Sequence, residues 1–468
     1  MEKIRNEFDY VLNYIKIVSH DGTEYNFYPQ FVEFTYEESV FEPCAHGSVF
    51  VADSVDFATL LPIMGEERIK ASFTRQDETS MEGNLLPAIT FDMPVYTMVG
   101  KTQDAGSKKR QTYTLKYTSD ELYKNISSKF YKKYKNQPYS SMIKSIFNDY
   151  LKIKKPLVIS EQSRGDYSYL VQAKSPIAAI NTLKSRCISA EQNGYSFVFY
   201  EDRNQFNLIS LGKLAKQKPI ASFTYEPKNI SEDTQGLSHK PKRVATGLYA
   251  VERYEDSSGV DTLTAAMSGE GTSSLLSVDP IRRRYSLQAF DLRGEKSTLI
   301  HKIPLVENSS WEKFPHMNAG KPWIENSRMF SNPLTNLHML ISDFGQREQE
   351  YISQRDIEIT PYDPELFVLQ NRSQKMQFLK NLLYVTLSGD PRIKAGCVIE
   401  FFLPESLGKA GKMNPEEFDR YLQGKYLVVS VAHILQKGSY RINLEIIKDS
   451  FFSNIVSRDP SKEYKFTY

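Results

Sequence analysis

Apolar and polar positions alternate with a period of two in short runs near both ends of the chain, and recur with a period near 3.6 in one block between them. Alternation throws successive side chains to opposite faces of a strand, whereas the longer period gathers them on one face of a helix. "YIKIVSHDGTEYNFYP" predicts a hairpin with Asp21 and Gly22 in its turn. "QFVEFTYEES", "HGSVFVADS", "ERIKASFTRQ", "MPVYTMVGKTQ" and "RQTYTLKYTS" read as further strands, with "DFATLLPIMG" as a short helix among them. Residues 1–115 therefore form a first β-rich unit.

The period changes at Ser119. "SDELYKNISSKFYKKYK" predicts one helix, with Ser119 as its cap, Asp120 and Glu121 at the positive end of its dipole and lysines in its last turn. "YSSMIKSIFNDYLKI" predicts a second, with Met142, Ile143, Ile146, Phe147, Tyr150 and Leu151 on one face. A third begins at "SPIAAINTLKSRCI", where Ser175 caps and Pro176 takes the first helical position. "NGYSFVFYEDRNQFNLISL" returns to a strand hairpin that turns at Asp202 to Asn204, so 116–215 form an α/β unit.

Residues 216–370 are a mixed, β-rich region with long loops. Strands are expected in "KRVATGLYAVERY", "RRRYSLQAFDL" and "STLIHKIPLV", a long loop over 256–280, and partial helix in "LTNLHMLISDFGQREQEYISQ". From 371 to 458 the pattern sharpens again. "SQKMQFLKNLLYVTLSGD" runs from a helix into a strand, and "YLVVSVAHIL" and "SYRINLEIIKDS" form a hairpin around Lys437 and Gly438. A polar insertion over 404–424 carries a helical turn, and 459–468 is a tail.

Two stretches of this last unit are apolar on both faces. In "CVIEFF", Cys397, Ile399 and Phe401 share one face and Val398, Glu400 and Phe402 the other; "YLVVSVAHIL" is alike. A surface strand keeps one polar face, so both faces here need a cover. One is expected to fill a barrel, and the other to pack on a neighbouring subunit or on the chain's own middle region. The candidate interface residues are Val398, Glu400, Phe402, Leu427, Val429, Val431 and His433. An ion-pair or interface partner is expected for Glu400.

Composition narrows the function more than it defines it. The chain has 468 residues, 29 Tyr, 27 Phe and 3 Cys, with a net charge of +2. Near-neutral charge supplies no global pull toward nucleic acid or membrane. Three scattered cysteines argue against a disulfide framework and for a reducing compartment. "MEKIRNEFDY" lacks the apolar core of a signal peptide, and no run approaches the ~20 apolar residues of a membrane helix. There is no G-x-S-x-G, H-E-x-x-H or P-loop, and Gly269 and Gly271 are not followed by the Lys and Ser or Thr of a phosphate loop. The seven histidines have no metal-ligand spacing. Glu37–Glu38 sit on a strand and point to opposite faces, so they make no acid/base dyad. Basic runs such as "KFYKKYK" read as solvated faces. No catalytic residue, cofactor or metal ligand is expected.

The order and spacing of "QPYSSMIKSIFNDYLKIKKPL", "VQAKSPIAAINTLKSRCIS", "GYSFVFYEDRNQFNLISL", "LSGDPRIKAGCVIEFFLPE", "YLQGKYLVVSVAHIL" and "YRINLEIIKDS" resemble the central baseplate hub proteins of contractile-tailed bacteriophages, and more distantly the base of type VI secretion spikes. The resemblance implies an α+β, β-rich fold: two small β-barrel domains, 1–115 and 371–458, flanking an inserted α/β region, assembled as a ring-shaped homotrimer. It implies a structural virion protein of the tail baseplate, assembled in the host cytoplasm, that adapts a sixfold tail tube to a threefold spike. Its partners would be the central spike, the tail tube and neighbouring baseplate proteins, with DNA passing only transiently through the lumen and no membrane insertion. The other readings are a hub-like protein of a type VI or bacteriocin-like system, a tail-associated cell-wall or polysaccharide hydrolase, and a nucleic-acid-binding module.

Overall fold

The computed structural model describes residues 8–55, 57, 65–75, 85–103, 111–153, 155–191, 194, 196–225, 249–257, 272–279, 284–291, 337–341, 368–379, 381–403 and 422–448. The chain is β-rich, and strands from both ends share one sheet. The expected helix over 56–65, the strand over 297–306, the insertion over 404–424 and the tail over 459–468 fall wholly or mostly outside the described residues.

The first lobe contains Val11–Val18 (β1), Glu24–Asn26 (β2), Phe31–Ser39 (β3), His46–Asp53 (β4), Arg68–Thr74 (β5), Ile89–Gln103 (β6) and Gln111–Thr118 (β7). Gly22 turns the first hairpin at a φ of +85°, where a Cβ would be strained. The spatial order is β3-β4-β7-β6-β5-β1-β2, every pair antiparallel. The sheet curls round a stack of rings: Phe91 lies 5.4 Å from Phe34 and 5.0 Å from Tyr36, centroid to centroid. No described ladder joins β2 back to β3. β6 serves two neighbours in turn. It pairs with β5 as far as Pro94 and with β7 from Val95 onward. Proline has no N–H to give a ladder, so it suits the point where the strand changes partner.

The α/β unit contains Asp120–Ser127 (α1), Phe130–Gln137 (β8), Tyr139–Ile146 (α2), Leu157–Ile159 (β9), Tyr167–Lys174 (β10), Pro176–Lys184 (α3), Phe197–Glu201 (β11), Phe206–Ser210 (β12) and Leu211–Ala215 (α4). The single helix expected over 119–135 is corrected: it stops at Ser127, and "FYKKYK" is a strand. Phe130 and Tyr134 are buried while Tyr131 is exposed, a period of two that burial of the aromatic rings enforces. Ser119 holds the N-cap position, but its hydroxyl bonds elsewhere. The expected apolar face of the second helix packs as read: Met142, Ile143, Ile146, Phe147 and Leu151 enter a core with Ile180, Leu183, Phe199 and Phe206.

The second lobe draws on two distant parts of the chain. Its elements are Ser222–Tyr225 (β13), Ala250–Asp256 (β14), Thr272–Asp279 (β15), Arg284–Asp291 (β16), Leu337–Ile341 (β17), Val368–Leu379 (α5), Asn381–Ser388 (β18), Val398–Phe402 (β19), Gly424–Gln436 (β20) and Ser439–Lys448 (β21). Six strands close into a barrel in the order β19-β13-β14-β18-β21-β20 and back to β19. Two of its staves, β13 and β14, come from the 216–370 region. β15, β16 and β17 form a separate small sheet. Part of the expected loop over 256–280 is thus a strand, and 337–341 is a strand rather than a helix. Leu337–Ile341 lies parallel against β15, and that pairing overrides the local pattern.

The two lobes meet by strand pairing. β3 and β20 run antiparallel from Ser39 opposite Ser430 to Glu33 opposite Gln436. Eight strands, β6-β7-β4-β3-β20-β21-β18-β14, consequently form one antiparallel wall spanning both lobes.

Candidate functional site: the two faces of the lobe junction

Strand alternation gives the wall a wet face and a packed one. On the wet face a row of register neighbours crosses six strands: Arg253, Thr386, Asn443, Ala432, Glu37 and His46. A shallow groove beside this row is lined by Glu37, Thr386, Ser430, Asn443 and Glu445. The Thr386 hydroxyl donates to Asn443 Oδ1 at 3.0 Å. His46 Nε2 stands 3.1 Å from Glu37 Oε2, and Nδ1 stands 3.2 Å from Glu42 Oε2. The hydrogen bond to Glu37 raises the pKa of His46 above its ordinary value, against the opposing effect of burial. Burial, with Glu37 and Glu42 nearby, raises that of Glu445. The wet face is therefore largely polar and carries charge of both signs, since Arg253, Glu255 and Tyr384 also line the groove.

The packed face is held by three consecutive residues in the β11–β12 turn. Glu201 is buried and accepts from the Ala45 amide at 2.9 Å, from the Ser119 hydroxyl at 2.6 Å and from Lys155. This ties the turn to the first lobe. Asp202 accepts from the amides of Asn204 and Gln205 and from Lys394 Nζ at 3.0 Å, which ties it to the second lobe. Burial pushes its carboxyl upward, yet Lys394 and those amides hold it below the usual carboxylate range.

Arg203 reaches both lobes at once. Its guanidinium donates to the carbonyls of Pro391 and Ile393, the latter at 2.6 Å, and lies 3.6 Å from Glu38 Oε1. Glu38 is fully buried and also accepts from Tyr36 Oη at 3.1 Å, from the Arg203 amide at 3.1 Å and from the Ala395 amide at 3.2 Å. Burial raises the Glu38 pKa while Arg203 opposes the rise. On the other side of Arg203, His433 Nε2 lies 3.4 Å from a guanidinium nitrogen and Nδ1 lies 2.8 Å from Tyr440 Oη. Arginine only donates, so Nε2 accepts and Nδ1–H donates to Tyr440. Burial, then Arg203, lowers the His433 pKa well below its ordinary value and keeps the ring neutral.

A second buried tie runs from Arg75 of the first lobe to the Gly389 carbonyl at 2.8 Å and to Asp390 Oδ2 at 3.3 Å. Gly389 has no room for a side chain, since a Cβ there would stand 2.0 Å from the Tyr440 ring.

Most of the candidate interface residues lie inside the chain. Val398, Leu427, Val429, Val431 and His433 are buried, and the apolar cluster that holds the four apolar ones also contains Tyr200, Leu211 and Leu214 of the α/β unit. A Cβ at Gly396 would stand 2.1 Å from Tyr200 Oη, so the two units touch closely there. On the second side of "CVIEFF", Val398 is buried within the chain itself. Glu400 and Phe402 keep part of their surface, and Glu400 accepts from the Ser222 hydroxyl at 2.7 Å. Sequence reasoning passed over Glu201, Asp202 and Arg203, which a charged hairpin turn disguises as solvated. Among the described residues no group of three or more His, Cys, Asp or Glu could hold a metal ion, and no helix is long and apolar enough to cross a membrane.

No family profile and no curated protein matches the chain. Solved structures with a similar course of chain do exist. One is a tail protein from Neisseria meningitidis, at 9% identity and a TM-score of 0.49, over 94% of this chain and 97% of that one. Another is a prophage MuSo2 43 kDa tail protein from Shewanella oneidensis, at 8% and 0.49, over 94% and 99%. A third is an Escherichia coli protein described as a component of the type VI secretion system, at 9% and 0.39, over 97% and 79%. Likeness at this level leaves the function to be argued from the chain's own residues.

Proposed function

We propose that this protein is a structural component of a contractile phage tail: the central baseplate hub, a homotrimeric ring that adapts a sixfold tail tube to a threefold spike and passes the genome through its bore. The observation that carries this reading is the eight-strand wall. Two lobes of one chain present a single uninterrupted sheet whose free face is polar and whose packed face is locked by buried ion pairs. Two lobes per chain, each giving four strands to the wall, would make six wall segments in a threefold ring, which is the symmetry match a tube-to-spike adaptor requires. The sequence resemblance points the same way. The domain limits 1–115, 116–215, 216–370 and 371–458 belong to this reading, with β13 and β14 completing the last barrel. Glu400 and Phe402 remain as partner-facing residues, and the spike, tube and neighbouring baseplate proteins are the partners.

Light scattering of the purified chain, alone and with the cognate spike protein, tests the proposal. A trimer that binds spike is expected. A monomer at micromolar concentration that ignores spike overturns it.

A further inference from the structure

β8 and β10 form a two-stranded antiparallel sheet on the α/β unit, with Leu170 opposite Lys133. Its inner face is buried: Phe130, Tyr134, Tyr169 and Val171 enter the core of that unit. Its outer face is not. Tyr131 is 73% and Leu170 46% exposed, and Lys133 and Lys135 are exposed beside them. Read as a helix, "KFYKKYK" would spread these side chains round a cylinder; as a strand it sets Tyr131, Lys133 and Lys135 in one row. Since Leu170 stands opposite Lys133, Tyr131 is its diagonal neighbour, within reach of an aromatic ring. Ile126, in the last turn of α1, is 71% exposed; it and Tyr131 are the two most exposed large apolar side chains among the described residues. Single apolar side chains on a surface are ordinary, but several gathered on one side of a small unit mark an interaction site. The charge there has one sign. Lys132, Lys133, Lys135 and Lys174 are the charged residues of the two strands, and neither strand holds an acidic one. Lys132 is paired with Asp149 at 2.7 Å, and Lys129, just before β8, adds a further exposed cation.

We propose that the outer face of the β8–β10 sheet is a docking surface for a short acidic segment of another protein, one that sets apolar side chains among aspartates and glutamates. The inference goes beyond the hub reading, since it needs neither a trimer nor a bore. Charge complementarity names the occupant. A face whose strands carry only lysine as charge suits carboxylates, which steer the encounter and fix the register. Tyr131 and Leu170 supply the anchors, and tyrosine is enriched where interfaces hold their energy. Size limits the occupant to a segment. Two strands of 8 residues offer a face of roughly 27 Å by 10 Å. That is about a third of the ~800 Å² each partner buries in a standard interface. Nucleic acid fits this face less well. Successive bases stack on several outward rings, whereas Tyr131 faces out and Phe130, Tyr134 and Tyr169 are buried. The net charge of +2 also gives the chain no general pull toward a polyanion or a lipid surface.

A yeast-displayed library of random short peptides, selected on the full chain and counter-selected on the Tyr131→Ser/Leu170→Ser variant, tests this. Both side chains are exposed, so the variant keeps the fold, which an unchanged Tm verifies. The expected survivors are rich in Asp and Glu interspersed with Leu, Ile or Phe. A labelled synthetic copy of one survivor should bind the chain in fluorescence anisotropy, more weakly as salt rises. It should bind Tyr131→Ser/Leu170→Ser and Lys129→Glu/Lys133→Glu about tenfold more weakly than the unaltered chain. Survivors without an acidic bias, or bound equally well by both variants, overturn the proposal. So does binding of oligothymidylate or of phosphatidylserine vesicles that the same variants lose while no acidic peptide is selected. Self-association that Tyr131→Ser/Leu170→Ser abolishes makes a second copy the occupant and overturns it too. Failure here leaves the hub reading standing, and a monomer in light scattering leaves this surface standing.

Discussion

The two faces of the β3–β20 junction solve opposite problems. The wet face carries Thr386, Asn443 and Ser430, whose hydrogen bonding water can complete, beside the small apolar Ala432. The packed face carries Glu38, Arg203, His433 and Tyr440 in a dry setting, where each polar group depends on the next. One strand serves both: Glu37 faces water and Glu38, beside it, is sealed. The same residue type in adjacent positions is therefore partly solvated on one side and sealed on the other. The comparison teaches that the lobes are tied together from behind, which leaves the front free of that task.

Arg203→Met breaks this contrast most severely. It strands the Glu38 carboxylate without its cation, and destabilisation of about 3–5 kcal/mol is expected, measured by denaturant unfolding. The double variant Glu38→Gln/Arg203→Met recovers part of that loss; if it recovers none, packing rather than charge dominates the seam. Gly389→Ala is next, at about 1–3 kcal/mol in the same assay, because the added methyl must displace the Tyr440 ring.

Two histidines sharpen the contrast through pH. The folded pKa of His433 lies below the unfolded value near 6.5. Below about pH 6.5 the unfolded chain binds a proton that the folded chain refuses, so stability falls as pH drops, by up to ~1.4 kcal/mol per unit. His433→Gln should flatten that limb in a profile of Tm against pH. His46 has the opposite sign. Its folded pKa is raised, so its contribution is complete below about pH 6.5 and is lost as pH rises through the folded value. It is half exposed, and screening leaves only a few tenths of a kcal/mol. The smallest effect is expected at Thr386→Ala on the wet face, within about 0.5 kcal/mol in denaturant unfolding. A loss above 2 kcal/mol there would erase the distinction between the faces.

Much of this architecture is legible in the chain. Asp21–Gly22 and Lys437–Gly438 mark hairpins, because tight turns admit few residues. Adjacent glutamates on an alternating strand must part to opposite faces, as Glu37 and Glu38 do. "KFYKKYK" misleads because aromatic and lysine residues satisfy both periods over so short a run. The seam is hidden for a different reason. Arg203 lies 165 residues from Glu38 and 230 from His433, and no local pattern reports so distant a partner. The closure of the second barrel by Ser222–Tyr225 is hidden likewise, since four residues are too few to show a period.

The β3–β20 pairing also imposes an order on synthesis. β3 is complete at Ser39, and its partner begins pairing at Ser430. At ribosomal rates of ~5–20 residues per second, that partner arrives roughly 20–80 s later. Throughout that interval β3 lacks the strand that pairs with this edge in the folded chain. Glu33 and Glu37 place charge along that edge of β3, and charged side chains on a strand edge disfavour pairing with other strands.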